Sequence, residues 1–305
     1  MYDLLSHGAA ELVRPDYKIY SYTEQIYKIV KFKSTAPSGY KSDKENHLSY
    51  DQKLDSSLSR SRRVVLELAL CNDWKYFCTF TIAKENYDRK DLSLWHKDFS
   101  QWLRDQRKKC LKLGIDIDIQ YVLVPEQHKD GSWHMHGLFS DITPLLVSFY
   151  KLDKYGYDVP YHLVDDGYYC WFDYWVKFGY CSLAPIKDLV SCGFYITKYI
   201  SKSMQKDCVD VGLHLYYPSR GLKRSSLHGD IFGQCSILDK YLVNDYDFCK
   251  TGMTAVKDGC TWNFAFEYMD HELIDAFRIP DEKEFCPVAD SFYDCTQEIM
   301  EGFPV

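Results

Sequence analysis

Residues 122–139, Val-Leu-Val-Pro-Glu-Gln-His-Lys-Asp-Gly-Ser-Trp-His-Met-His-Gly-Leu-Phe, constrain the fold more than any other stretch of the chain. A hydrophobic run over 121–124 meets a turn signal at Asp130-Gly131 and resumes over 133–139, which is the pattern of two antiparallel strands. Side chains two apart on a strand share a face, so His134 and His136 point one way and Met135 points into the core. Two imidazoles side by side on a sheet are an incipient divalent-metal site. The register decides what joins them. A three-residue turn of Asp130, Gly131 and Ser132 sets His128 opposite His134 and Glu126 opposite His136, with all four on one face. A two-residue turn brings Gln127 there instead, because a slip of one residue flips every side chain.

The second informative stretch is 192–202, Cys-Gly-Phe-Tyr-Ile-Thr-Lys-Tyr-Ile-Ser-Lys. Read as a helix, Leu189, Gly193, Ile196 and Ile200 line an apolar face, and Ser191, Tyr195, Lys198 and Lys202 line another. Tyr199 lies one turn beyond Tyr195, so their hydroxyls are neighbours, with Lys198 beside them.

Together these segments resemble a known family. Phe77-Cys-Thr-Phe-Thr81, His134-Met-His136 and Tyr195-Ile-Thr-Lys-Tyr199 stand in the order and approximate spacing of the three motifs of HUH endonucleases, specifically rolling-circle replication initiators. The last motif looks like the two-tyrosine branch found in initiators of small single-stranded DNA phages and related plasmid or integrated elements. Tyr217-Pro-Ser-Arg-Gly-Leu-Lys223 resembles a segment that follows the tyrosine helix in bacterial and phage members. The similarity spans about 59–226.

The remaining sequence supports a folded protein around those motifs. Hydrophobic residues make up 46% and aromatic residues 16% of the 305, which argues against extensive disorder. The start of the chain has no basic leader ahead of an apolar run, and no long uncharged hydrophobic stretch follows. The expectation is therefore no membrane insertion and a cytoplasmic protein, in a bacterial host cell if the resemblance holds. Twelve cysteines are scattered without a Cys-X-X-Cys pair, which reads as reduced core thiols. A net charge of −7 runs against phosphate binding. The acid is concentrated after Phe264, however, while Arg60, Arg62, Arg63, Arg104, Arg107, Lys108, Lys109, Lys198, Lys202, Arg220, Lys223 and Arg224 lie among the motifs.

Taken in order, 1–58 reads as a polar N-terminal extension around one apolar patch at 26–32, and 60–70 as a helix with an arginine-rich start. Residues 75–83 read as a central strand, with Thr79 and Thr81 on one face, either as ordinary strand residues or as shapers of the site. Residues 92–113 read as an amphipathic helix stopped by Gly114. An aromatic-rich insertion at about 141–179 could stack on unpaired bases, but packing against the sheet is the favoured account. Strands are expected at 177–184 and 213–217, and residues 227–305 form an acidic C-terminal region whose role the sequence leaves unassigned. The sum is an α+β fold: a central antiparallel sheet with helices packed on one face, flanked by N- and C-terminal extensions around a domain at 59–226. The resemblance implies the same HUH/RRM-like sheet.

It also implies a chemistry. His134, His136 and Glu126, with His128 as the alternative third ligand, would hold Mg²⁺ or Mn²⁺. Tyr195 would lead the attack on DNA, with Tyr199 as its partner and Lys198 favouring the phenolate. Lys202, Arg220, Lys223 and Arg224 would contact phosphates. The partner would be single-stranded or hairpin origin DNA, and with no Gly-X-X-X-X-Gly-Lys-Ser/Thr motif in the chain, unwinding would fall to a host helicase and synthesis to a host polymerase. A mobilisation relaxase or single-strand transposase of the same chemistry, and a non-catalytic origin-binding protein, are the alternatives.

Overall fold

A computed structural model of the chain describes residues 15–24, 26–32, 50–85, 87–202, 214–242, 244–245, 249–257 and 260–264. They fall into two compact units, one within Met1–Lys53 and Ser225–Asp270 and the other centred on Leu54–Arg224.

The first unit begins with a hairpin of β1 (Tyr17–Ser21) and β2 (Ile26–Phe32). Both strands alternate lysine with apolar residues, the signature of a half-buried strand. The second unit opens with α1 (Tyr50–Cys71), β3 (Tyr76–Thr81) and α2 (Leu92–Lys112). The Asp91 carboxylate caps α2 by accepting from the Leu94 amide, and Gly114, at φ 69°, follows its end. The hairpin of β4 (Tyr121–Gln127) and β5 (Trp133–Phe139) comes next.

Residues that resist assignment from sequence then fold into short pieces: β6 (Val147–Ser148), α3 (Phe149–Lys154), α4 (Tyr161–Asp165), β7 (Tyr169–Cys170) and α5 (Phe172–Phe178). Their aromatic density is mostly a packing device, since Trp171, Tyr174 and Phe178 are buried with Trp95, Phe99 and Trp102 of α2. The strand expected at 177–184 is displaced to β8 (Cys181–Pro185), because α5 occupies the preceding turn up to Phe178. The tyrosine helix is α6 (Leu189–Lys202), and β9 is only Tyr217–Pro218. These strands make a seven-stranded antiparallel sheet in the order β6-β7-β8-β3-β5-β4-β9.

This α+β architecture matches the expectation with one correction: helices cover both faces of the sheet. On one face Cys78, Phe80, Leu123, Met135 and Phe139 pack against α2 and α5. On the other, Val122, Val124 and Leu138 pack with Val65, Leu68 and Ala69 of α1 and Cys192, Ile196 and Ile200 of α6. The reason lies in β4 and β5, which are apolar at nearly every position and so must bury both faces. The tyrosine helix and the histidine pair are therefore brought to the same side by the α1–α6 layer.

Returning to the first unit, β10 (Ser226–Ile231), α7 (Ser236–Asp239), β11 (Asn244–Asp245), β12 (Cys249–Lys257) and β13 (Cys260–Phe264) complete it. Its sheet runs β10-β1-β2-β12-β11, with β13 paired to β12. Segments that the sequence presents as two unrelated flanks, 1–58 and 227–305, thus share one sheet through β1–β10 and β2–β12 pairing. The buried Tyr17 donates through its hydroxyl to Asp239, and Lys31 pairs with the same carboxylate at 2.8 Å. The acidic stretch beyond 264 lies outside the described residues. No helix among the described residues is long and apolar enough to cross a membrane.

Candidate active site

The β4–β5 turn consists of Lys129, Asp130 and Gly131, closed by His128 N donating to Ser132 O at 2.8 Å and Gly131 N donating to His128 O at 2.9 Å. Gly131 takes φ 85°, the left-handed conformation such a turn needs. The turn therefore sits one residue earlier than the sequence reading placed it. The register moves by two, and Glu126 faces His134 directly while Val124 faces His136. Because the shift is even, the face is preserved. Glu126, His128, His134 and His136 all project to the α1–α6 side, and the two-residue turn that would have brought Gln127 there is absent.

Contacts run diagonally across the pair. His136 Nε2 lies 2.7 Å from Glu126 Oε2, and the rings of His128 and His134 are 4.0 Å apart. The neighbouring strand fixes the imidazoles from behind, with Thr79 Oγ1 3.2 Å from His136 Nδ1 and Thr81 Oγ1 3.5 Å from His134 Nδ1. A hydroxyl both donates and accepts, so each threonine can serve either histidine tautomer and leave Nε2 directed inward. Burial, followed by the fields of His128 and His136, holds the His134 pKa well below the ordinary histidine value, and burial likewise lowers that of His128. Both are neutral ligands at neutral pH.

The tyrosine helix closes over this face. The Tyr199 ring stacks on His136 with centroids 3.7 Å apart and planes 15° from parallel, and Phe77 of β3 packs edge-on to Tyr195 at 5.6 Å. Tyr199 Oη donates to Tyr195 Oη at 2.8 Å. Tyr199 is 2% exposed, whereas Tyr195 is half-buried and reaches solvent. Lys198 Nζ lies over the Tyr195 ring, 5.6 Å from its centroid. Gly193 explains how the helix gets so close. A Cβ there would stand 3.3 Å from Ala69 Cβ and Leu70 Cδ2, so a larger residue would lever α6 away from α1.

The phosphate-binding candidates are less tightly gathered. The side chain of Lys202 lies outside the described residues. Arg220 and Lys223 are exposed, with Lys223 Nζ 3.9 Å from Asp73. Arg224 makes a two-pronged pair with Glu67 of α1, at 2.8 and 3.1 Å, so its charge is already matched. Asn72 holds this segment in place by exchanging two hydrogen bonds with the Lys223 backbone.

The donor chemistry fits a hard divalent cation: two neutral imidazoles and a carboxylate share one face. In an octahedron with ligands at about 2.1 Å, adjacent ligands stand about 3 Å apart, close to the spacing of His136 and Glu126. The third donor is not in place. Among the described residues no group of three or more His, Cys, Asp or Glu side chains is arranged to hold a metal ion. Mg²⁺ commonly takes only one or two protein carboxylates and completes its shell with water and substrate phosphate, so a partial set suits it.

Sequence reasoning left Thr79 and Thr81 undecided between roles, and strand alternation was the signal that put them on the histidine face. Phe77 and Arg89 carried no such signal.

Comparison with known proteins adds an independent finding. Residues 75–204 match the ORF2-type family model described as a replication-associated protein. The match covers less than half of the chain and spans β3 to the end of α6, including both the histidine pair and the tyrosine pair. It is consistent with a Rep-type replication initiator, and it suggests DNA binding and a role in replication initiation. No curated protein and no solved structure matches the chain.

Proposed function

We propose that this protein is a rolling-circle replication initiator of the two-tyrosine HUH type, a site-specific endonuclease and strand transferase acting on single-stranded origin DNA. The observation that carries the proposal is the stacking of Tyr199 on His136, with Tyr195 one hydrogen bond further out. Two phenols and an imidazole–carboxylate set, far apart in sequence, share one pocket face.

Glu126, His134 and His136 are the residues that would hold Mg²⁺ or Mn²⁺, with His128 in reserve beside His134. Such a cation, when bound, supplies positive charge to a non-bridging phosphate oxygen and so favours in-line displacement. The protein's own residues do the rest. Tyr195, the more exposed phenol, attacks phosphorus; the Tyr195 Oη–P bond forms and the P–O3′ bond breaks. The phenolic proton leaves to solvent, and the departing 3′ oxygen takes one up. The products are a 5′-phosphotyrosine and a free 3′-hydroxyl that can prime a polymerase. The ester conserves the bond energy, so reversal rejoins the strand without ATP. Tyr199, hydrogen-bonded to Tyr195, is positioned to cut a regenerated junction while Tyr195 still holds the first end. A phenol has a pKa near ~10, so the nucleophile needs help; the Tyr199 hydroxyl donating to Tyr195 Oη stabilises the developing phenolate.

Incubating the full chain with a single-stranded oligonucleotide carrying the origin of its encoding element, in Mn²⁺ and separately in EDTA, tests this. A denaturant-resistant protein–DNA adduct is expected in Mn²⁺ alone, and is expected to be lost in His136→Ala. Binding without any adduct would favour a non-catalytic origin-binding protein.

A further inference from the structure

The segment between β3 and α2 brings a cation to the edge of the histidine cluster that the mechanism above does not use. Arg89 Nη2 donates to Ser132 Oγ at 3.2 Å, just beyond the β4–β5 turn. The segment is tied there by its backbone as well: Trp133 N donates to Arg89 O at 3.0 Å, and Trp133 Nε1 to Lys90 O at 3.2 Å. The stem of Lys90 lies along Gly131.

The guanidinium is half-buried, yet no carboxylate stands within ion-pair distance of it among the described residues. Its Nε is shielded from water and has no hydrogen-bond partner among the described residues. The nearby acids are engaged elsewhere. Asp130 accepts from the Ser132 amide and hydroxyl at 2.9 and 2.6 Å, and Asp88 accepts from the Lys90 amide at 2.9 Å. The field of Arg89 instead falls on His128 and His134, which are themselves bases. A partly desolvated cation beside imidazoles, without an anion, is an unfavourable arrangement unless a ligand provides the negative charge.

We propose that Arg89 is a phosphate-binding residue of this site, holding the backbone of the single strand next to the phosphate under attack, with Lys90 and Lys129 extending the same basic rim. The inference rests on the DNA-processing reading above and adds to it a residue that the phosphate candidates of the sequence did not include. Guanidinium is suited to the task because its fork of donors matches phosphate oxygens.

The test is a salt titration of binding in EDTA, where no cleavage occurs, using a fluorescent mixed-sequence single-stranded oligonucleotide and the full chain. Wild type, Arg89→Gln, Arg89→Ala and Ser132→Ala are compared between about 50 and about 200 mM salt. Each phosphate contact to a single strand contributes about 0.7 to the slope of log K against log salt. Both Arg89 variants are expected to weaken binding and lower the slope by roughly that amount, while Ser132→Ala keeps the wild-type slope. Arg89→Gln keeps a donor for Ser132, so it reads the charge even if Arg89→Ala unfolds. A wild-type slope in Arg89→Gln would overturn the inference while leaving the nicking reading intact. Absence of any single-strand binding by wild type would overturn both.

Discussion

Gly137 sits in β5 between His136 and Leu138, and an added methyl there tests whether the strand pair holding the site is as tight as described. An ideal Cβ at this position stands 2.5 Å from Leu123 Cδ2 and 2.5 Å from the carbonyl oxygen of Val122, both on β4. The leucine can rotate, but the carbonyl is backbone and cannot move unless β4 moves with it. Overpacking a core costs about 1–3 kcal/mol, and a backbone clash belongs at the upper end of that range. For a domain of this size, each kcal/mol lowers the melting temperature by about 2–4 °C, so Gly137→Ala is expected to melt roughly 6–12 °C below wild type. Gly229→Ala is the control, since its Cβ meets nothing within 4 Å. The assay is thermal unfolding followed by circular dichroism, paired with Mn²⁺ titration by calorimetry. Because β4 carries Glu126 and β5 carries His136, parting the strands is expected to weaken Mn²⁺ binding as well. A Gly137→Ala protein that melts within about 1 °C of wild type would refute the close β4–β5 contact and the register built on it.

Thr79→Val keeps shape but removes the hydroxyl facing His136 Nδ1; loss of such an outer partner typically costs about 10–100-fold in metal affinity, to be read by Mn²⁺ titration with an unchanged melt. Tyr199→Ala deletes a buried ring stacked on His136 and is expected to cost about 3–5 kcal/mol, whereas Tyr199→Phe keeps the ring and loses about 0.5–1.5 kcal/mol for the hydroxyl; equal melts for the two would contradict the stacking. His134 and His128 have folded-state pKa values lowered by burial, so the unfolded chain takes up protons first as pH falls. Their effect is that stability is fully present above about pH 6.5 and declines below it, and metal-free wild type should lose more melting temperature between pH 8 and pH 5.5 than His134→Asn.

The parts of the fold that could be read from sequence are those with strong local periodicity. The amphipathic run of α2 and its Gly114 stop, the alternation of β3, and the face shared by Glu126, His128, His134 and His136 all follow from spacing alone. The turn was misplaced by one residue because Lys129-Asp130-Gly131 and Asp130-Gly131-Ser132 offer the same composition; only the hydrogen bonds of His128 decide between them. The site survived the error because a shift of two positions leaves parity unchanged. What escaped was non-local. Lysines at 18, 28 and 31 disguised β1 and β2 as a polar extension, since half-buried strands tolerate charge on the open face and their partners lie some 200 residues away. The insertion at 141–179 splits into pieces too short for any period to register, and its aromatics are fixed by the α2 surface they pack on. Arg89 gave no sign because its meaning comes from Ser132 and His134, more than 40 residues on.

The most direct measurement is peptide mass spectrometry of the protein after reaction with single-stranded origin DNA in Mn²⁺ and nuclease digestion. The account predicts a nucleotide 5′-phosphate esterified to Tyr195 in wild type, and no adduct there in Tyr195→Phe or when EDTA replaces Mn²⁺. Nucleotide attached to a residue outside α6, or strand cleavage that proceeds undiminished with both Tyr195 and Tyr199 replaced by Phe, would contradict it.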